Sequence, residues 1–167
     1  MQLPGPLSKV KQVRFQKLFA LLRKRKSSAD DLLAAEMHEA VFAHTDCLSC
    51  AQCCKNYSPI LLETDIRRIA KQEGLSPAAF MSTYLLMDED GDWVFHTTPC
   101  PFLQADNTCR IYEWRPRACS EYPHTNRKKL YQIADLTLKN AEICPAVAPI
   151  LDRMAEKLEL SWELPAI

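Results

Sequence analysis

The residues of this chain best suited to chemistry are its eight cysteines, because thiolates are nucleophiles and metal ligands. Four of them crowd into the segment CLSCAQCC, which runs from Cys47 to Cys54. Two-residue gaps between cysteines let a chain wrap around one ion or cluster, as in zinc knuckles and ferredoxins. We therefore predict that all the cysteines are metal ligands: Cys47, Cys50, Cys53, Cys54, Cys100, Cys109, Cys119 and Cys144.

The spacing slightly favours an iron–sulfur cluster over zinc. Cys47, Cys50 and Cys53 have the two-residue gaps that open the bacterial ferredoxin motif, although the fourth cysteine follows here at once. Cys100 and Cys144 each precede a proline, as the last cysteine of that motif does. Eight thiolates complete either two four-thiolate sites or one cluster and a smaller structural site, and the spacing leaves both groupings open.

The adjacent pair Cys53 and Cys54 bears on how the ligands are grouped. Neighbouring side chains diverge in most backbone conformations. We therefore expect the two thiols to reach different metal positions, either in two sites or within one cluster of several metals. The alternative is that one of them is a buried thiol that only packs in the core.

Composition narrows the class of protein. The chain has 167 residues, 47% of them apolar and 25% charged, as expected of one ordinary globular domain. Its three glycines form neither a dinucleotide-binding motif nor a P-loop. We find no apolar run suited to an export signal or a bilayer span, so we expect a cytoplasmic protein. Thiols stay reduced in the cytoplasm, which favours metal binding over disulfides.

Periodicity and capping residues predict a mainly α-helical fold with short β-hairpin segments and irregular loops, organised as a small single domain around cysteine-bound metal. The segments MDEDGDWVFH and QADNTCRIY predict two tight turns, the first of them entering a strand. Helices are expected from Ser8 to about Ser27, from Asp30 to His44, from Asp65 to Glu73, from Ser76 to about Leu86, and from Pro145 onward.

Charge is unevenly distributed, although the net charge is zero. The first 26 residues carry eight Lys or Arg and no acid, whereas residues 27–167 carry thirteen basic and twenty-one acidic residues. We predict a basic N-terminal leader helix over residues 1–26 and a cysteine-cluster domain over residues 27–167. Such a helix can contact phosphates or anionic lipid. The alternative, docking of this helix on the acidic body, is favoured because the helix has an apolar stripe of Phe15, Leu18, Phe19 and Leu22.

The segment IAKQEGLSPAAFMSTYL is similar to a helix-turn-helix, with its turn at Gly74. A recognition helix presents polar groups that read bases, but this one offers Ala78, Ala79, Phe80 and Met81. The surrounding acidic body also repels phosphate. DNA binding is therefore the third of the functions considered, and we expect no nucleic-acid partner.

Side chains near the later cysteines are candidates for supporting roles. Arg115 can direct its guanidinium at an anionic thiolate cluster or at a substrate carboxylate, which makes it a candidate cofactor-binding residue. Capping of a local turn is the equally weighted alternative for Arg115. Tyr112, Trp114 and Tyr122 are expected to pack around the metal and shield it from water.

The segments CLSCAQCC, CPFLQADNTCRIYEWRPRAC and EYP, with the late Cys144, resemble the CxxCxxCC cysteine-cluster family, the YkgJ-like proteins. The resemblance extends from Cys47 to Cys144 and excludes the basic leader. Family members commonly have glycine in the first cluster, where this chain has Ala51 and Gln52. The resemblance implies a zinc- or iron-chelating domain. Because some members are flagellin lysine N-methylases, the main alternative is a metalloenzyme, either a redox protein or a methyltransferase.

Overall fold

The computed structural model describes residues 5–160, and over that range it is mainly α-helical with one two-stranded antiparallel sheet. The predicted mainly α-helical fold with a short β-hairpin is thereby confirmed, and its organisation around cysteine-bound metal stays a prediction. The two strands are β1 (Leu85–Met87) and β2 (Trp93–Phe95). The helices are α1 (Lys9–Arg25), α2 (Ser28–Phe42), α3 (Gln52–Asn56), α4 (Glu63–Gln72), α5 (Pro77–Tyr84), α6 (Arg117–Glu121), α7 (Ala134–Ala141) and α8 (Val147–Lys157).

The chain divides into two compact units. The helical unit comprises the described residues up to Asp46 together with those from Pro123 onward, and the cysteine unit comprises Cys47–Tyr122. Helix α1 belongs to the helical unit. A separate leader over residues 1–26 stays a prediction. None of the helices within residues 5–160 is both long enough and apolar enough to cross a membrane.

The helical unit is built around the apolar faces of α1, α2 and α8. The predicted α1 stripe is buried, with Phe15 and Leu18 fully inaccessible to solvent. Ser8 caps this helix, because its hydroxyl oxygen accepts a hydrogen bond from the backbone N–H of Lys11 at 3.3 Å. On α8, Val147, Leu151 and Met154 are buried, and Leu158 is half-buried. Helix α2 ends at Phe42, earlier than predicted, and leaves His44 exposed.

The cysteine unit has its own core, in which α4 and α5 form a hydrophobic helical hairpin. Gly74 ends α4 with a φ of +70°, the left-handed conformation that glycine adopts without a Cβ penalty. Ser76 caps α5 by accepting a hydrogen bond from the N–H of Ala79 at 3.2 Å. Phe80 is fully buried against the rings of Tyr84 and Phe102. The face of α5 that contains Phe80 therefore packs in the core of its own unit.

A β-hairpin extends from the end of α5. Leu86 lies opposite Val94, and the acidic turn between the strands closes with the N–H of Asp88 donating to the carbonyl of Asp92 at 2.9 Å. The predicted end of α5 at about Leu86 was therefore wrong, because pairing with β2 takes Leu85 and Leu86 out of the helix. The turn predicted around QADNTCRIY is confirmed by a hydrogen bond from the N–H of Gln104 to the carbonyl of Thr108.

Candidate metal centre

Seven of the eight cysteines lie in the cysteine unit. Four precede or belong to α3, two belong to the loops after β2, and Cys119 lies on α6. Cys144 follows α7 in the helical unit, where it packs, half-buried, against the hydrophobic core. All eight lie within the described residues, and none is joined in a disulfide.

The first cysteine segment makes a tight turn ahead of α3. The carbonyl of Cys47 accepts hydrogen bonds from the N–H groups of Cys50, at 3.2 Å, and Ala51, at 2.9 Å. Ala51 is buried and has a φ of +50°, the left-handed conformation that favours glycine. An alanine there costs about 1 kcal/mol. The conformation of Ala51 explains why this position suits glycine and shows that alanine still makes the turn.

The sulfurs of Cys53 and Cys54 lie 3.9 Å apart on α3. Four thiolates around one zinc ion, with Zn–S bonds of about 2.3 Å, have sulfurs about 3.8 Å from one another. The two side chains thus do not diverge in this structure, and the metal positions that they reach stay a prediction. Consecutive residues of a helix are about 100° apart around its axis, so side-chain rotation can bring their two sulfurs together.

The close contact between the two thiols favours the anionic, thiolate form of Cys54. The hydrogen bond from Cys53 lowers the pKa of Cys54 to about 7, against burial, and the positive charge of Lys55 contributes to the lower pKa. The Lys55 ammonium group is held nearby because it donates a hydrogen bond to the carbonyl of Cys50 at 3.1 Å. Because the thiolate is the form that binds metal, the lowered pKa prepares Cys54 to bind metal at neutral pH.

A backbone hydrogen bond joins the first of the later cysteines to this segment. The N–H of Cys100 donates to the carbonyl of Cys54 at 2.8 Å, and Cys109 pairs with Leu103 across the second tight turn. Burial raises the pKa of Cys100 to about 11 and that of Cys119 to about 12, and it also raises the pKa of Cys109. A negative charge on Cys54 adds to each of these three increases in pKa. The four thiols therefore lie within electrostatic range of one another.

A buried carboxylate that was not predicted from the sequence holds the segment that leads to Cys119. Asp65 is 1% exposed and accepts hydrogen bonds from the N–H of Leu62 at 3.1 Å, from the guanidinium of Arg68 at 2.6 Å and from the N–H of Arg117 at 3.3 Å. Arg68 also donates to the carbonyl of Arg115 at 2.9 Å. The acid and base at an i, i+3 spacing were the only sequence signal for this arrangement.

Arg115 stabilises a local turn, which is one of the two roles considered for it. Its guanidinium donates a hydrogen bond to the carbonyl of Tyr112 at 2.7 Å and lies over the Tyr112 ring, 3.9 Å from the centroid. Its positive charge also opposes the burial that raises the pKa of Cys109 and Cys119. Arg115 thus stabilises a local turn and lies within electrostatic range of two thiols. Its assignment as a cofactor-binding residue stays a prediction.

The aromatic residues expected to shield the metal differ in exposure. Tyr112 is 54% exposed and Trp114 is 41% exposed, and their role in shielding the metal stays a prediction. Both lie on a 3-10 turn, Tyr112–Trp114, whose rings project from the surface. Tyr122 is half-buried, and its ring contacts the edge of Tyr57 with centroids 6.3 Å apart.

The side chains of residues 5–160 form no group of three or more His, Cys, Asp or Glu arranged to hold one metal ion. The structure brings the sulfurs of Cys53 and Cys54 together and ties the backbone of Cys100 to that of Cys54. Soft thiols in mostly half-buried positions are donors that suit zinc and iron. The set of residues that ligates the metal stays a prediction.

A family model, "CxxCxxCC: Putative zinc- or iron-chelating domain", matches residues 46–145. The match covers more than half of the chain and includes every cysteine. The chain belongs to the CxxCxxCC family. In this CxxCxxCC protein the matched region contains the whole cysteine unit, whereas α1, α2 and α8 lie outside it. Searches of curated proteins and of solved structures gave no match.

Proposed function

We propose that this CxxCxxCC protein binds metal through its eight cysteines, holding an iron–sulfur cluster as the first choice and zinc as the alternative. The observation that carries the proposal is the pair Cys53 and Cys54, whose sulfurs lie 3.9 Å apart in a unit that contains five further cysteines. A separation of about 3.8 Å is the one that neighbouring thiolates need on a tetrahedral metal. Family membership supports a zinc- or iron-chelating role.

The proposed ligands are divided between the two units. Seven come from the cysteine unit, where Cys54, Cys100, Cys109 and Cys119 influence one another's ionisation. Rotation about χ1 moves a cysteine sulfur among three staggered positions. The sulfurs can therefore adjust to a metal even though hydrogen bonds hold the backbone in place. Cys144 is the eighth proposed ligand. It is proposed because it lies within the residues that the family model matches.

Two features favour different metals. The two-residue gaps from Cys47 to Cys53 and the two Cys-Pro steps favour an iron–sulfur cluster. The short sulfur–sulfur distance fits a single tetrahedral ion equally well. An iron–sulfur cluster supplies one-electron transfer, whereas zinc bound by four thiolates stabilises a fold. We also place the protein in the cytoplasm, since thiols outside disulfides suit a reducing compartment.

Metal and sulfide analysis after anaerobic, iron-supplemented expression tests the identity of the metal. We expect a brown protein with visible absorbance and acid-labile sulfide in proportion to its iron. Aliquots purified in air provide the comparison, because oxygen bleaches exposed clusters and leaves zinc in place. Stoichiometric zinc without sulfide in the anaerobic sample would exclude the cluster and retain metal binding. A metal-free, correctly folded protein would contradict the proposal as a whole.

We do not advance the metalloenzyme and DNA-binding alternatives. A cavity of about 170 Å³ is present in the helical unit, and it is lined by Leu7, Gln12, Gln16, Leu138, Lys139 and Glu142. No cysteine lines this cavity, so it offers no substrate site beside the thiols. The burial of Phe80 supports the helical-hairpin interpretation of α4 and α5 over a recognition helix.

A further inference from the structure

Two basic runs that lie about a hundred residues apart in the sequence meet at one end of the helical unit. Residues 23–26 close α1, and residues 127–129 lead into the 3-10 turn Leu130–Ile133; all seven are Lys or Arg. Arg25 forms an ion pair with Asp30 at 3.1 Å, and the backbone N–H of Lys129 donates to Asp31 at 2.9 Å. Because Asp30 and Asp31 are neighbours in the first turn of α2, both runs lie beside the same helix end.

These seven residues, here called the basic end, are all exposed. The two acids beside the basic end serve the scaffold: Asp30 is buried and paired with Arg25, and Asp31 binds the backbone of Lys129. The next exposed acid along α2 is Glu36, more than one turn beyond Asp31. The basic end therefore presents a concentrated positive charge, although the net charge of the chain is zero.

Two lysines of the basic end occupy backbone conformations that lysine does not favour. Lys26 has a φ of +47° and Lys129 a φ of +57°, both in the left-handed region. Glycine adopts this region without strain, so backbone stability does not account for lysine at either position. Strained residues that persist in a fold point to a functional demand. At these two positions lysine supplies a positive charge that glycine lacks.

An exposed leucine lies beside the same acids. Leu32 follows Asp31 directly in α2 and is 71% exposed, the most exposed large apolar side chain among the described residues. A nucleic-acid backbone offers phosphate to the basic residues and nothing to an exposed leucine. An anionic bilayer offers both headgroup phosphate and an apolar layer beneath it.

We propose that the basic end is a peripheral binding surface for anionic lipid membranes. Residues 23–26 and 127–129 contact the charged headgroups, while Leu32 enters the boundary between headgroups and acyl chains. Binding of this kind is reversible and depends on salt, because the charges remain solvated. It is independent of the proposed metal binding, since the residues that carry it include no cysteine.

Sedimentation of the full-length, metal-loaded protein with lipid vesicles tests this surface. We expect binding to phosphatidylcholine vesicles containing roughly a third of phosphatidylserine in about 0.1 M salt, and its loss in about 1 M salt or without phosphatidylserine. Lys26→Gly and Lys129→Gly should each weaken binding about fivefold, and the double variant about 25-fold. Because glycine favours both backbone conformations, the melting temperature should not fall.

Two further variants separate this proposal from its alternatives. Lys9→Gln removes one exposed charge at the opposite end of α1, about 25 Å away, and should weaken vesicle binding less than twofold. Leu32→Gln should weaken vesicle binding without changing the binding of a short DNA duplex. The proposal is overturned if the unmodified protein ignores anionic vesicles, or if the glycine variants bind them equally well. Duplex binding that the glycine variants lose, without vesicle binding, would reassign the surface to nucleic acid.

Discussion

At the scale of single residues, the adjacent thiols Cys53 and Cys54 decide how the proposed metal is shared. Their sulfurs lie 3.9 Å apart, and the hydrogen bond between them lowers the pKa of Cys54. Two thiolates at that distance fit one tetrahedral metal, whereas ligands of separate sites would point apart. We therefore expect the pair to act as a unit in the proposed site.

Serine substitution of the pair tests this sharing. Cys53→Ser and Cys54→Ser should each lose the same fraction of the bound metal, because serine keeps the size but is a poor ligand for soft metals. The double variant should lose no more than either single variant. Metal content by mass spectrometry, with matched circular dichroism spectra to establish folding, measures the effect. Different or additive losses would instead place the two thiols on separate metals.

At the scale of elements, α4 holds the loop that leads to Cys119 through one carboxylate. Asp65 is buried and bonds to α4 itself, to Arg68 and to the N–H of Arg117 at the start of α6. Arg68 in turn bonds to the carbonyls of Trp114 and Arg115. The position of α6, and with it Cys119, depends on this arrangement.

Asp65→Asn should lower the free energy of unfolding by about 2 kcal/mol, because a charged hydrogen-bond acceptor is lost from a buried site. Glu63→Gln on the same helix is the matched control: its side chain is 77% exposed, and its ion pair with Arg67 is a surface pair that contributes little. Urea denaturation followed by tryptophan fluorescence measures both variants. Equal effects of the two substitutions would show that Asp65 does not hold the Arg115–Arg117 segment.

At the scale of the whole molecule, the chain has two units with separate hydrophobic cores. The core of the helical unit is made of helix faces, including α1 and α8. The cysteine unit has a smaller core and contains seven of the proposed metal ligands. A metal that is bound by segments distant in sequence holds these segments together and so stabilises the fold.

Removal of the metal by a chelator should therefore loosen the cysteine unit first. We expect faster amide hydrogen exchange in α3 and in the loops of Cys100 and Cys109, with α1 remaining protected by its buried stripe. Mass spectrometry of proteolytic peptides resolves the two units within one sample. Unchanged exchange in the cysteine unit after complete loss of metal would contradict a structural role for the ligands.

Local signals in the sequence determined much of this protein. Gly74, Ser76 and Pro77 set the ends of α4 and α5, because capping depends on residues a few positions apart. The α1 stripe identified its buried face through helical periodicity. Cysteine spacing, together with the EYP segment, was sufficient to identify the family, since the motif is itself a property of the sequence.

The tertiary structure decided what depends on distant segments and side-chain rotation. Rotation within α3 brought Cys53 and Cys54 together, although neighbouring side chains usually diverge. Pairing with β2 turned Leu85 and Leu86 from predicted helix to strand. The bond from Arg117 to Asp65 spans 52 positions, and the two basic runs meet only through Asp30 and Asp31. No local pattern contains such contacts, because they form only when packing brings remote parts of the chain together.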